Sequence, residues 1–170
     1  TRLSWARGAA AILAALALLD AHTAAQVSVA WSEPTRGESI AVDAEDNVFT
    51  IDYEVQPGAE IVVTKRDVDG RFVWAASIDQ TDITKWERAQ WVAVDSQGNV
   101  IVCGTLMSGF SSPTVAASIL MKFDASGAQL WRVVYEGSFD GTSTHKCLVD
   151  GSDDIYVLGT GVGTTSVTTK

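Results

Sequence analysis

What this chain has little of narrows its chemistry first. It holds two cysteines and two histidines among 170 residues. Cys103 and Cys147 stand in no CxxC or Cys/His spacing, which excludes a thiolate zinc site. His145 is the one histidine after residue 25, and beside Lys146 it reads as a surface residue rather than a catalytic base. No Ser-His-Asp set, GxSxG elbow, phosphate-binding loop or dinucleotide fingerprint occurs. Basic residues are scarce as well. Twelve Lys and Arg stand against 21 Asp and Glu, a net charge of −9 at pH 7. That balance argues against a nucleic-acid partner or an anionic lipid surface, and the bland reading of the acidity is solubility. Long apolar runs are missing too. The longest reaches from Gly8 to Leu19, whereas a bilayer core needs about 20 apolar residues.

That run has a different use. Arg2 and Arg7 precede it, Asp20 ends it, and Thr23, Ala24 and Ala25 follow. A positive flank, a short apolar stretch and a small-x-small site are the parts of a secretory signal peptide. The expectation is a helical leader over residues 1–25, cleaved between Ala25 and Gln26, with no stable membrane span left afterwards. The product would be secreted or held in the cell envelope, periplasmic or extracellular.

Beyond residue 26 the chain repeats itself. Ile40 to Asp43 followed by Asp46 to Ile51 matches Val92 to Asp95 followed by Gly98 to Gly104. Cys147 to Asp150 followed by Asp153 to Gly159 matches both. Each copy reads as two short strands joined by a tight turn at Asn47, Asn99 or Asp154, residue types that tolerate turn geometry. A second strand pair follows in two copies. Lys65, Asp67, Gly70 and Trp74 recur as Lys122, Asp124, Gly127 and Trp131, every pair 57 residues apart. Asp and Gly suit the turn, and Trp supplies apolar area where sheets would pack. Four antiparallel strands repeated at about 40 to 55 residues is the pattern of a β-propeller blade. The competing arrangement is a β-sandwich, which requires no repeated register.

The expected fold is therefore all-β: an incomplete propeller of about two and a half blades after a helical signal peptide. Residues 27–31, ending at Trp31, read as the outer strand of another blade. Residues 40–76 and 92–134 are full blades, and 147–160 is a partial one. The chain starts at Thr1 rather than Met, and propellers close with typically four to eight blades. The expectation is thus a piece of a longer protein. Its uncovered faces would carry Val62, Val100, Ile119, Leu130 and Trp131.

The stretches Asp95 to Gly104 and Lys122 to Trp131 resemble bacterial secreted β-propeller repeats of the SBBP type, which carry D-x-x-G-N-x-Y-V-x-G and then K-x-D-x-x-G-x-x-x-W. The resemblance covers about residues 27 to 160. It is loosest in the first copy, where Asp46 and Asp52 stand in place of glycines. The Asp-Gly-Trp portion also resembles the repeats of pyrroloquinoline-quinone propellers. The resemblance implies a fold and an exported location, and no shared catalytic residues.

Candidate sites are few. Asp43, Asp95 and Asp150 recur at strand ends, as ligand or calcium groups or, more simply, as turn caps. Asp67-Val68-Asp69-Gly70 resembles a calcium loop without its distal ligands. Lys65 and Lys122 are expected to face solvent, where a basic row would suit an anion. Cys103 and Cys147 lie in strands of neighbouring blades, as buried thiols or as a disulfide. The tryptophans suit packing better than a carbohydrate platform. No catalytic, cofactor or metal residue can be assigned. Ile40, Val42, Val92, Val94, Leu148 and Val149 would line an apolar channel. The function expected is a non-catalytic binding or scaffolding module for a protein or carbohydrate. The alternative is a catalytic propeller, either quinone-dependent and dehydrogenase-like or a hydrolase or lyase.

Overall fold

The computed structural model describes residues 30–32, 37–53, 61–78, 85–108, 114–135 and 143–160. The chain forms two compact units, Thr1–Ala30 and Trp31–Lys170. The expected signal peptide and its expected cleavage site lie outside the described residues, as do Val27 to Val29 of the expected outer strand. Ala30, Trp31 and Ser32 carry no strand. All that follows concerns the second unit.

Every regular element among its described residues is a β-strand. The first sheet holds β1 (Ser39–Val42), β2 (Val48–Tyr53), β3 (Ile61–Arg66) and β4 (Phe72–Ile78). The second holds β5 (Lys85–Val94), β6 (Val100–Ser108), β7 (Thr114–Phe123) and β8 (Gln129–Tyr135). A third sheet pairs β9 (Ser143–Val149) with β10 (Ile155–Thr160). Strands neighbour in chain order and pair antiparallel throughout. β-Branched residues fill the middle strands, and short Asp-led turns close the β1–β2, β3–β4, β5–β6, β7–β8 and β9–β10 hairpins, which helps consecutive strands find each other. Among the described residues the sheets do not close into a ring, and no helix is long and apolar enough to cross a membrane.

The sheets pack face to face. Phe49, Ile51, Ile61 and Val63 of the first sheet meet Ala89, Val92, Val100, Val102, Ile119, Met121 and Phe123 of the second. The opposite face of the second sheet, Ile101, Cys103 and Leu120 with Trp91 and Trp131, meets Cys147, Val149, Ile155 and Val157 of the third. Adjacent residues of β6 thus enter different cores, as the period of two demands. Val100 and Val102 point one way, Ile101 and Cys103 the other, and all four are fully buried. A strand buried on both faces reads as a continuous apolar run, as β6 and β7 do. Each large side chain so buried contributes about 1.5–3 kcal/mol.

This layering corrects three expectations. Val92 does not line a channel: it is buried between sheets, and Val94 packs against the same core. Side chains of stacked sheets alternate between two inter-sheet layers, so an inner strand presents few of them to an axis. Val100 and Ile119 are likewise core residues, not parts of an uncovered face. The uncovered apolar side chains include Ile40 and Val42 on the first sheet and Leu148, Tyr156 and Leu158 on the third. Finally, the second sheet begins at Lys85, seven residues before Val92. A register shift between Ala89 and Trp91 lets Ala89 and Val92, three apart, enter one core. Such a bulge breaks the alternation by which strands are recognised.

Candidate functional site

Two devices recur, and both are built from the repeated residues. The first is an aspartate clamp on the first hairpin of each sheet. Asp43 Oδ1 accepts the amides of Glu45 at 3.0 Å and Asn47 at 2.8 Å, and Oδ2 accepts Asn47 Nδ2 at 2.8 Å. Asp95 repeats this with Gln97 at 3.0 Å, Asn99 at 2.9 Å and Asn99 Nδ2 at 2.9 Å. A lysine from the third strand completes each clamp. Lys65 Nζ lies 3.6 Å from Asp43 Oδ2, and Lys122 Nζ lies 2.8 Å from Asp95 Oδ2. These lysines do not face solvent as expected: their side chains are only 12% and 19% exposed. The carboxylate draws them in, and the aliphatic stems lie along the sheet. Lys65 Nζ also stands 5.0 Å from the Phe49 ring centroid, directly across the β2–β3 ladder.

Charge follows from this geometry. Burial alone would push the Asp43 carboxyl up. The Asn47 side chain, the amides of Asn47 and Glu45 and the Lys65 ammonium outweigh it and hold the group below the usual carboxylate range. Asp95 behaves alike, with burial opposed chiefly by Lys122 and then by Asn99 and Gln97. Asp124 in the outer turn is held down by the Ser126 hydroxyl and the Ala128 amide. These carboxylates are committed to turns. The same holds at the calcium-like stretch, where Asp67 Oδ1 accepts the amides of Asp69 at 3.0 Å and Arg71 at 2.8 Å. No group of three metal-ligating side chains gathers among the described residues.

The second device ties sheet to sheet. The Trp74 indole lies flat on Gly127 of the next sheet, where a Cβ would come within 2.9 Å of the ring. Its Nε1 donates to Ala125 O at 3.0 Å. Trp31 lies on Gly70 in the same way, with 2.6 Å to a Cβ there. Trp31 therefore occupies on the first sheet the place that Trp74 occupies on the second. Ser96 adds a further tie, donating from N at 2.8 Å and from Oγ at 2.6 Å to the Asp153 carboxylate.

At the third sheet both devices are half built. Asp150 accepts the amides of Ser152 at 2.9 Å and Asp154 at 3.0 Å. These amides hold its carboxyl low, aided by Tyr156 Oη, which donates at 3.1 Å. The same bond pushes the Tyr156 phenol up. Among the described residues no lysine reaches Asp150 and no glycine covers Trp131. Trp131 instead borders a groove of about 610 Å³ lined also by Gln97, Lys122, Ser152, Asp153, Asp154 and Ile155.

The remaining candidates sit apart from this groove. Cys103 and Cys147 are fully buried free thiols in the core between the second and third sheets. Hydrogen bonding to Cys147 and burial push the Cys103 thiol far up. His145 is exposed, with Nε2 3.2 Å from Thr160 Oγ1. Glu87 is buried and paired with Arg132, a charge pair that sequence reasoning missed because β5 starts before the recognised repeat. Tyr156 was missed too, although it shares its repeat position with Phe49 and Ile101. Neither any protein-family model nor any curated protein matches the chain.

Proposed function

We propose that the repeated sheets are successive blades of an exported β-propeller that works as a non-catalytic binding or scaffolding module, taking a protein or carbohydrate ligand. One observation carries the propeller reading. Antiparallel sheets with chain-order strands stack face to face, and the same tryptophan-on-glycine contact recurs on two of them, Trp31 on Gly70 of the first sheet and Trp74 of the first sheet on Gly127 of the second. A device repeated at the same place on successive sheets suits an array of equivalent blades, whereas a two-layer sandwich requires no such repetition. The resemblance to SBBP-type secreted repeats and the leader over residues 1–25 support export. The binding role draws support from the fate of the recurrent acids and lysines, which are spent on turns rather than gathered as acid–base pairs. The test is expression with the leader in a bacterial host, terminal sequencing of the exported product, and a glycan and protein array probed with it. A terminus at Gln26 and saturable binding without turnover are expected. Residues 1–25 retained on a soluble exported product overturn the leader, and chemical conversion of a bound ligand overturns the non-catalytic role.

A further inference from the structure

Among the described residues the third sheet is a two-stranded hairpin, in which one strand edge, one aspartate clamp and one tryptophan lack the partners their counterparts have. The two complete cases show what those partners are. In the first sheet β3 lies beside β2 with Lys65 opposite Phe49, and in the second β7 lies beside β6 with Lys122 opposite Ile101. Two residues after each lysine an aspartate opens the outer turn, and three residues later a glycine with positive φ closes it, Gly70 at 79° and Gly127 at 90°. That glycine takes the preceding indole.

We propose that the β10 edge and the Trp131 groove form a docking site for a β-hairpin bearing Lys-x-Asp-x-x-Gly. Its first strand adds to β10 by main-chain pairing. Its lysine falls opposite Tyr156, where Phe49 stands in the first sheet, and so meets an aromatic face and the Asp150 carboxylate together. Its glycine lies on the Trp131 indole, and the carbonyl of the residue after its aspartate accepts the Trp131 Nε1 proton, as Ala125 O does for Trp74. Lysine and glycine set the specificity. Without the lysine Asp150 keeps only its own hairpin's donors, and any side chain at the glycine collides with the indole.

The site is tested with a fluorescein-labelled peptide of this chain's own complete hairpin, Thr114 to Tyr135, by anisotropy against the full-length protein. Saturable binding is expected. A Lys122→Ala peptide should bind about tenfold more weakly, the loss of one charge-assisted contact. A Gly127→Val peptide should lose at least about thirtyfold, because its Cβ has no room over the ring. Trp131→Ala in the protein should remove binding. Since that variant alters a core neighbour, Asp150→Asn serves as the second probe: it should weaken the parent peptide about tenfold and leave the Lys122→Ala peptide nearly unchanged. Absence of binding by the parent peptide overturns the proposal, and so does a Gly127→Val peptide that binds within threefold of it. A protein dimer that Trp131→Ala dissociates and the peptide does not would place a second copy in the groove and overturn it equally.

Discussion

A comparison of two glycines isolates the contact that ties one sheet to the next. Gly98 and Gly127 both sit in hairpin turns at positive φ, 75° and 90°. Their surroundings differ. A Cβ on Gly98 meets nothing nearer than Ala125 Cβ at 4.0 Å, whereas one on Gly127 comes within 2.9 Å of the Trp74 ring. The turn at Gly98 also has natural replacements in the same chain, since Asp46 and Asp153 hold φ of 62° and 63° at the equivalent place. Asparagine adopts that conformation with little strain. Gly98→Asn should therefore cost less than about 0.5 kcal/mol. Gly127→Asn should displace the indole. That breaks the Nε1 bond to Ala125 O, about 1 kcal/mol, and disturbs the packing of Trp74 on Phe49 and Gly127 by about 1–3 kcal/mol more. The sum, roughly 2–4 kcal/mol, should lower the melting temperature by roughly 6–12 °C in a unit of this size. Circular dichroism melts of both variants and the parent decide it. Equal losses at the two positions would refute the reasoning, because only backbone strain would then be at work.

Three further outcomes are expected. Stability should be flat above about pH 5 and fall below about pH 4, because Asp43 and Asp95 titrate below 3.8 when folded and near it when unfolded, so the unfolded chain takes up protons first. Asp95→Asn should be less stable at pH 7 with a shallower acid decline in urea midpoints, and an unchanged decline would rule out the Asp95 clamp as its source. Cys103 and Cys147 should resist iodoacetamide in the reduced native protein and react fully in denaturant, since both are buried; rapid native alkylation counts against the burial, and an intact mass two hydrogens light would reveal a disulfide. In dynamic light scattering the chain should self-associate through its uncovered faces, where Ile40 is 62% exposed and Leu158 61%. Val42→Lys with Leu158→Lys should reduce that association, and a monodisperse parent would show that these faces are covered another way.

Much of this architecture was written in the spacing of a few residues. The shared 57-residue offset of Lys, Asp, Gly and Trp located β3, β4, β7 and β8, because turn residues and a large ring are constrained by local geometry and vary little in position. Asp43, Asp95 and Asp150 could be placed at hairpins for the same reason. The partners of those groups were less legible. Lys65 and Lys122 look like solvent residues by type, and only the register across the ladder sets them on Asp43 and Asp95. The bulge beside Gln90 hid the first half of β5 by breaking alternation.

The direction each side chain faces was the least legible feature, and it is the one that decides the site. In β6 the residues Val100, Ile101, Val102 and Cys103 are uniformly apolar, so no pattern says which core each enters. In β10, one repeat on, the same positions read Ile155, Tyr156, Val157 and Leu158. Ile155 is buried and Val157 partly so, while Tyr156 and Leu158 stand exposed. The two strands have similar apolar composition and differ in whether, among the described residues, another sheet lies beyond them. Burial on the far face is thus a property of the neighbour, not of the strand. The Tyr156 face and the Trp131 groove come from one cause: each is open because the pairing that covers its counterpart has no equivalent among the described residues.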